Sequence, residues 1–178
     1  MAAELLAERF GQWGIDAVVT SAGTHAGIVE SDPDAIAAMA ERGIDISSHR
    51  PRLVDRALIA ADGADLVVAM TRAHLREIAS RGPRVFKRGF TMKELARRCV
   101  ALQRLPEEGE ADIAGWCTAL GADRKARDLL GNSLFDDIAD PYGLSVANHR
   151  QTAGELDALA SVVAMSLSGW LSSAPPGQ

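Results

Sequence analysis

The sequence predicts an α/β fold, a parallel sheet with helices on both faces. Three observations predict it. Short apolar runs alternate with helical stretches up to about residue 90. The run Ala64-Asp65-Leu66-Val67-Val68-Ala69-Met70 is the compact apolar kind that is buried inside a parallel sheet. Helix-start signals recur at Asp32-Pro33, Thr71 and Thr91.

The elements follow in order. Residues 2–13 place Ala2, Leu6, Phe10 and Trp13 on one helical stripe, with no capping residue ahead of it. Ala17 to Ser21 reads as a short strand ended by Gly23. Asp32 caps a helix with Pro33 at its first position; it runs to about Glu41, with Gly43 beyond its end. Val54 to Ala61 reads as a second short helix. The strand Ala64–Met70 leads to Thr71, which caps a helix over 72–81. Arg84-Val85-Phe86-Lys87 reads as a further strand. From Thr91 to about Leu130 the pattern is helical only. Thr91-x-x-Glu94 forms a capping box for a helix to roughly Gln103, and one or two more helices cover 111–130 after a polar break at Pro106–Glu110. A long amphipathic helix spans 145–171, with Leu156, Leu159, Val163, Leu167 and Trp170 at core spacing. Residues 172–178, with Pro175-Pro176, read as a flexible tail. The expected organisation is one domain over 1–171 with a helical insertion at about 91–134. Open α/β domains begin with a strand that feeds the first helix. Here the first helix lacks that strand, which leaves three clear strands.

Composition narrows the function classes. The 178 residues are enough for one domain with a sizeable core. Net charge is −5, so no basic footprint points to nucleic acid, and no run of 18 apolar residues suits a membrane span. Cys99 and Cys117 make neither a disulfide framework nor a zinc spacing, which points to free thiols and a cytoplasmic setting. No two histidines have ligand spacing. His74 and His149 are expected on helix surfaces. Asp136, Asp137 and Asp140 read as a solvated acidic turn rather than a cation site. No metal or cofactor is expected.

Asp140-Pro141-Tyr142-Gly143 is the most informative motif, although Asp-Pro alone is an ordinary turn opener. It stands downstream of Ser21-Ala22-Gly23-Thr24, Arg42-Gly43-Ile44-Asp45-Ile46-Ser47-Ser48-His49-Arg50 and the Ala64–Met70 strand. With Met1-Ala2-Ala3-Glu4-Leu5-Leu6 these stretches, in this order, resemble the low-molecular-weight protein tyrosine phosphatases. The resemblance covers residues 1–90 and 135–170.

The resemblance implies a four-stranded parallel sheet and a phosphate loop of the form Cys-x5-Arg-Ser ahead of the first helix. Its thiolate attacks phosphorus and forms a phosphocysteine. The loop, its cysteine and its arginine would all precede Met1, so the chain is expected to be an N-terminally truncated and inactive form. Six residues after Cys99 is Leu105 and six after Cys117 is Asp123, so neither completes the spacing. By resemblance Asp140 is the general acid and then base, and Tyr142 stacks on the substrate ring. Ile28, beside His25 and Val29, lines the variable cleft wall. Ser21 and His49 support the phosphate loop from behind. Arg52 reads as a solvated loop arginine. The implied partner is a phosphotyrosine protein, with bacterial tyrosine kinases as one class, and phosphate or another oxyanion as ligand. Two other readings stand beside it: a non-catalytic phosphatase-like binding or regulatory module, and an arsenate reductase, which would need further cysteines for its relay.

Overall fold

The computed structural model describes residues 1–25, 30–60 and 63–173. It divides into two compact units, Met1–Val54 with Ala139–Ser161 and Asp55–Ile138 with Val162–Gln178.

The first unit opens with α1 (Ala2–Gln12), which buries Leu5, Leu6 and Phe10. Trp13 from the expected stripe is 44 % exposed, because the helix ends before it and Gly14 turns the chain away at φ +68°. α2 (Pro33–Ala40) begins as expected. Asp32 Oδ1 accepts the Asp34 amide at 2.9 Å, and Pro33 occupies a position whose missing N–H has no helical partner to lose. Ala35, Ala38 and Met39 are buried. Asp157 then accepts from Arg9 at 2.7 Å and from Arg42 at 3.0 Å, and Arg150 grips Glu41 at 2.7 and 2.6 Å.

The expected strand at Ala17–Ser21 does not form, and Val18 is 94 % exposed. The pairing in this region is a single parallel bridge from Gly23 to Leu53. Gly23 N donates to Arg52 O at 2.8 Å, and Val54 N donates to Gly23 O at 2.9 Å. β-Branched residues favour extended chain only where a neighbour takes up the backbone groups, and no strand pairs with 17–21 among the described residues.

The second unit holds the sheet. α3 (Arg56–Ile59) is one turn capped by Asp55, shorter than the helix expected over 54–61; residue 61 lies outside the described residues. β1 (Val67–Ala69), α4 (Arg72–Arg81) and β2 (Gly89–Thr91) make a parallel β-α-β unit with Val67 opposite Gly89 and Ala69 opposite Thr91. Thr71 caps α4 through the His74 amide at 3.1 Å. The expected strand at Arg84–Lys87 is instead a 3-10 turn, Pro83–Lys87. Pro83 brings a fixed φ suited to a helical start, so strand pairing begins two residues past the turn. Gly89 is needed there, since a Cβ would meet Val85 at 2.8 Å. The α/β class with a parallel sheet holds, but among the described residues the sheet has two strands rather than three.

The stretch from 91 to 130 is helical as expected: α5 (Met92–Ala101), α6 (Ile113–Leu120) and a 3-10 turn at Ala126–Leu129. Thr91 ends β2 and also caps α5, accepting the Glu94 amide at 3.2 Å. α4 and α5 pack on the strand pair, and α6 packs on α5. α7 (Val146–Ser172) contributes residues 146–161 to the first unit and the rest to the second, where Val163, Ala164, Leu167 and Trp170 are buried. Trp116 and Trp170 donate their ring N–H groups to Ser166 Oγ at 3.2 Å and Glu110 O at 2.8 Å. Of the expected tail, residues 174–178 lie outside the described residues.

A buried ion network braces this unit. Glu94 accepts from Arg98 at 3.0 Å and from Arg124 at 2.8 and 3.1 Å. The Arg124 guanidinium, 2 % exposed, lies 4.4 and 4.6 Å from the rings of Phe86 and Phe90. A buried cation that loses its carboxylate is strongly destabilising, so Glu94→Ala is expected to lower stability by about 3 kcal/mol in urea unfolding. A loss below about 1 kcal/mol would rank this network with solvated surface pairs.

Candidate functional site

All residues of the candidate site belong to the first unit. The chain enters it at Asp140, whose Oδ1 accepts the Tyr142 amide at 3.0 Å, and Leu144 N returns to Pro141 O at 2.9 Å. The motif is therefore a closed turn that its own aspartate helps to fold. Gly143 continues it at φ +72°, and its amide donates to Asp32 Oδ2 at 3.0 Å. α7 then starts, with Ser145 Oγ against Asn148 Oδ1 at 2.8 Å.

Asp140, Pro141, Tyr142, His49 and His149 line one open cleft of about 210 Å³, together with Asp32, Ile46 and Pro51. Asp140 is exposed, and the Tyr142 ring is 61 % exposed. His49 is half-buried at the wall, its amide donating to Ile46 O at 3.2 Å. The structure thus brings together three of the expected site residues, Asp140, Tyr142 and His49.

Of the other expected residues, those that are described do not line the cleft. Ser21 is exposed and is not among the residues that line the cleft; its carbonyl accepts Arg52 Nε at 3.0 Å. Arg52 is engaged in that bond rather than fully solvated. His25 is exposed, with Nδ1 3.0 Å from Thr24 Oγ1. Ile28 and Val29 lie outside the described residues.

The expectation of a surface His149 is corrected. It is 1 % exposed, with Nδ1 3.2 Å from Ser145 O and Nε2 3.7 Å from Asp32 Oδ2. A signal was present in the sequence. His149 leads the stripe Ala153, Leu156, Ala160, Val163, Leu167 and Trp170, all buried and spaced by three or four residues. The expected stripe began later and included Leu159, which is only half-buried. Asp32 serves the site as well as the helix. Backbone hydrogen bonds from Gly143 first and Asp34 next hold its carboxyl below the usual range.

Both cysteines are buried and unpaired. Burial pushes the Cys99 thiol up to about 11 and the Cys117 thiol up to about 12, so neither is a thiolate at neutral pH. No group of three or more His, Cys, Asp or Glu among the described residues could hold a metal ion. No helix among them is long and apolar enough to cross a membrane.

The acidic turn is also corrected, within the second unit. Asp136 is not solvated: it is 4 % exposed and accepts from Arg72 Nε and Arg97 Nη2, each at 2.8 Å. Asp137 accepts the amides of Arg72 and Ser133 at 2.7 and 3.0 Å.

The family model of the low molecular weight phosphotyrosine protein phosphatases matches residues 1–103, which reaches into the 91–134 block expected to be a helical insertion. The chain belongs to this family. It is 37 % identical over 70 residues to the probable low molecular weight protein-tyrosine-phosphatase EpsP of Ralstonia solanacearum, covering 39 % of this chain and 46 % of the relative. It spans about half the length of the curated relatives it matches. A low molecular weight protein tyrosine phosphatase from Bacillus subtilis superposes with a TM-score of 0.66 at 26 % identity, over 93 % of this chain and 86 % of that one. A cysteine-to-serine mutant of the YwlE arginine phosphatase, with its active-site serine phosphorylated, superposes with a TM-score of 0.65 at 26 % identity, over 93 % of this chain and 85 % of that one.

Burial alone would raise the Asp136 carboxyl, but hydrogen bonds from Arg97 and Arg72 outweigh it and leave it below its ordinary value. A lowered folded-state pKa gives stability that is present above the unfolded pKa and lost as pH falls through the folded one. Asp136→Asn is therefore expected to flatten the fall in Tm below about pH 4, measured as Tm against pH. An unchanged acid limb would show that the two arginines contribute nothing there.

Proposed function

We propose that this chain is the scaffold and general-acid part of a cytoplasmic protein tyrosine phosphatase. The observation that carries the reading is the convergence of Asp140, Tyr142 and His49 on one cleft in a chain of this family. In the proposed reaction a cysteine thiolate attacks phosphorus, forming the S–P bond and breaking the P–O bond to tyrosine. The leaving phenolate, with a pKa of about 10, takes a proton from Asp140. Asp140 then accepts a proton from the water that cleaves the phosphocysteine and releases phosphate. The exposed Tyr142 ring stacks on the substrate ring. Residues 1–171 act as one phosphatase-like domain, and the protein substrate is a phosphotyrosine protein such as a bacterial tyrosine kinase.

Residues 1–178 hold no Cys-x5-Arg sequence, and the raised thiols of Cys99 and Cys117 are poor nucleophiles. The same two thiols count against an arsenate reductase relay. The polypeptide of these 178 residues is therefore proposed to be inactive, with turnover confined to a form that carries the phosphate loop. The absence of a Cys-x5-Arg sequence from these 178 residues also fits a second reading, a phosphatase-like module that binds a partner without catalysis.

The coding sequence upstream of Met1 and the intact mass of the native protein separate the two. A Cys-x5-Arg-Ser loop supports the phosphatase; an upstream region without one supports the module. In a form that carries the loop, Asp140→Asn is expected to slow hydrolysis of aryl phosphates by roughly 10²–10⁴-fold. An effect below about tenfold would remove Asp140 from the acid role. Phosphoarginine belongs in the same assay, given the arginine phosphatase among the similar structures. A preference for it would replace the aromatic substrate.

A further inference from the structure

We propose that Asp32 is a positioning residue for the Asp140–Gly143 loop, its two carboxylate oxygens divided between the first turn of α2 and the Gly143 amide. The proposal rests on the reading of Asp140 as the acid. An N-cap needs one oxygen, and Oδ1 fills that need at 2.9 Å from Asp34 N. Oδ2 is left over and meets Gly143 N at 3.0 Å, 111 residues further along the chain. A carboxylate is suited to this double duty because both of its oxygens accept. A serine could cap but not reach both donors. An asparagine would turn an N–H₂ group towards one of them.

Gly143 fits the same account. A Cβ there would meet nothing within 4 Å, so space does not demand glycine. The demand is conformational: φ of +72° is the left-handed turn that aims this amide at Asp32. The loop closes on itself through Asp140 Oδ1 to Tyr142 N and Leu144 N to Pro141 O. A tie at Gly143 therefore sets the pose of the whole turn, including the Asp140 carboxyl and the Tyr142 ring. His149 completes the base of the loop. Its Nδ1 lies 3.2 Å from Ser145 O on its own helix, and Nε2 faces Asp32 Oδ2 at 3.7 Å. The other titratable groups of the cleft residues are the Met1 amino terminus, Glu30, Asp140, Tyr142 and His49, while nearby Arg150 is committed to Glu41.

The test uses the 178-residue chain and needs no turnover. Amide exchange and shifts are read by NMR for Gly143, Asp34 and Tyr142, the single tyrosine of the sequence. In Asp32→Ser and Asp32→Asn the cap is kept, so Asp34 stays protected. Gly143 is expected to exchange at least about threefold faster, and the Tyr142 ring signals shift. Unchanged Gly143 exchange and Tyr142 signals, with Asp34 protected, would overturn the proposal. Gly143→Ala gives the reciprocal reading and leaves the α2 cap untouched. The Asp32 carboxyl should rise towards its ordinary range once that amide is lost, and an unmoved titration would overturn the tie even if the Asp32 variants unfold. These signals are independent of the acid assignment. Failure of Asp140→Asn to slow hydrolysis would withdraw the acid and leave the tie between Asp32 and Gly143 in place.

Discussion

Backbone pairing is the constraint on which the rest of this structure depends. An extended segment is stable in a fold only where a neighbour accepts and donates along its edge. Val67–Ala69 and Gly89–Thr91 satisfy each other in parallel register, and α4 and α5 pack on that pair. Where no strand among the described residues pairs with it, the same kind of sequence stays irregular: Ala17–Ser21 has strand composition, yet its Val18 stands in solvent. The exchange of a strand for a 3-10 turn at Pro83–Lys87 has the same origin, because the segment that reaches β1 is the one that starts at Gly89.

Within each unit, carboxylates gather donors from separate stretches of chain. Asp32 and Asp157 each gather two donors in the first unit. Asp136, Asp137 and Glu94 do so in the second, and the donors come from separate elements of that unit. Such groups need good geometry to offset desolvation. Their effect is conformational: loops without regular hydrogen bonding are held in one pose.

The Asp140–Gly143 stretch is a turn folded by its own aspartate. The pose of that turn draws on α2 and on the buried face of α7. A cleft of this kind is assembled from stretches near residues 30, 49 and 140, which no local pattern connects.

Much of this protein was legible in the sequence. The alternation of apolar runs and helix caps determined the α/β class, and Asp32, Thr71 and Thr91 stand as caps, because an N-cap is a contact within four residues. The ordered motifs determined the family and singled out Asp140, Tyr142, His49, Ser21 and Ile28; the first three line one cleft, Ser21 does not, and Ile28 lies outside the described residues. Other features were decided only by tertiary contacts. Strand identity at 17–21 and 84–87 depended on partners far along the chain. The exposure of Asp136 depended on Arg72 and Arg97, and the burial of His149 on a helix face that starts one turn earlier than the apolar residues alone suggest. The second role of Asp32 was invisible for the same physical reason. A cap is written in neighbouring residues, whereas the acceptor left over on its other oxygen finds its donor only when the chain has folded.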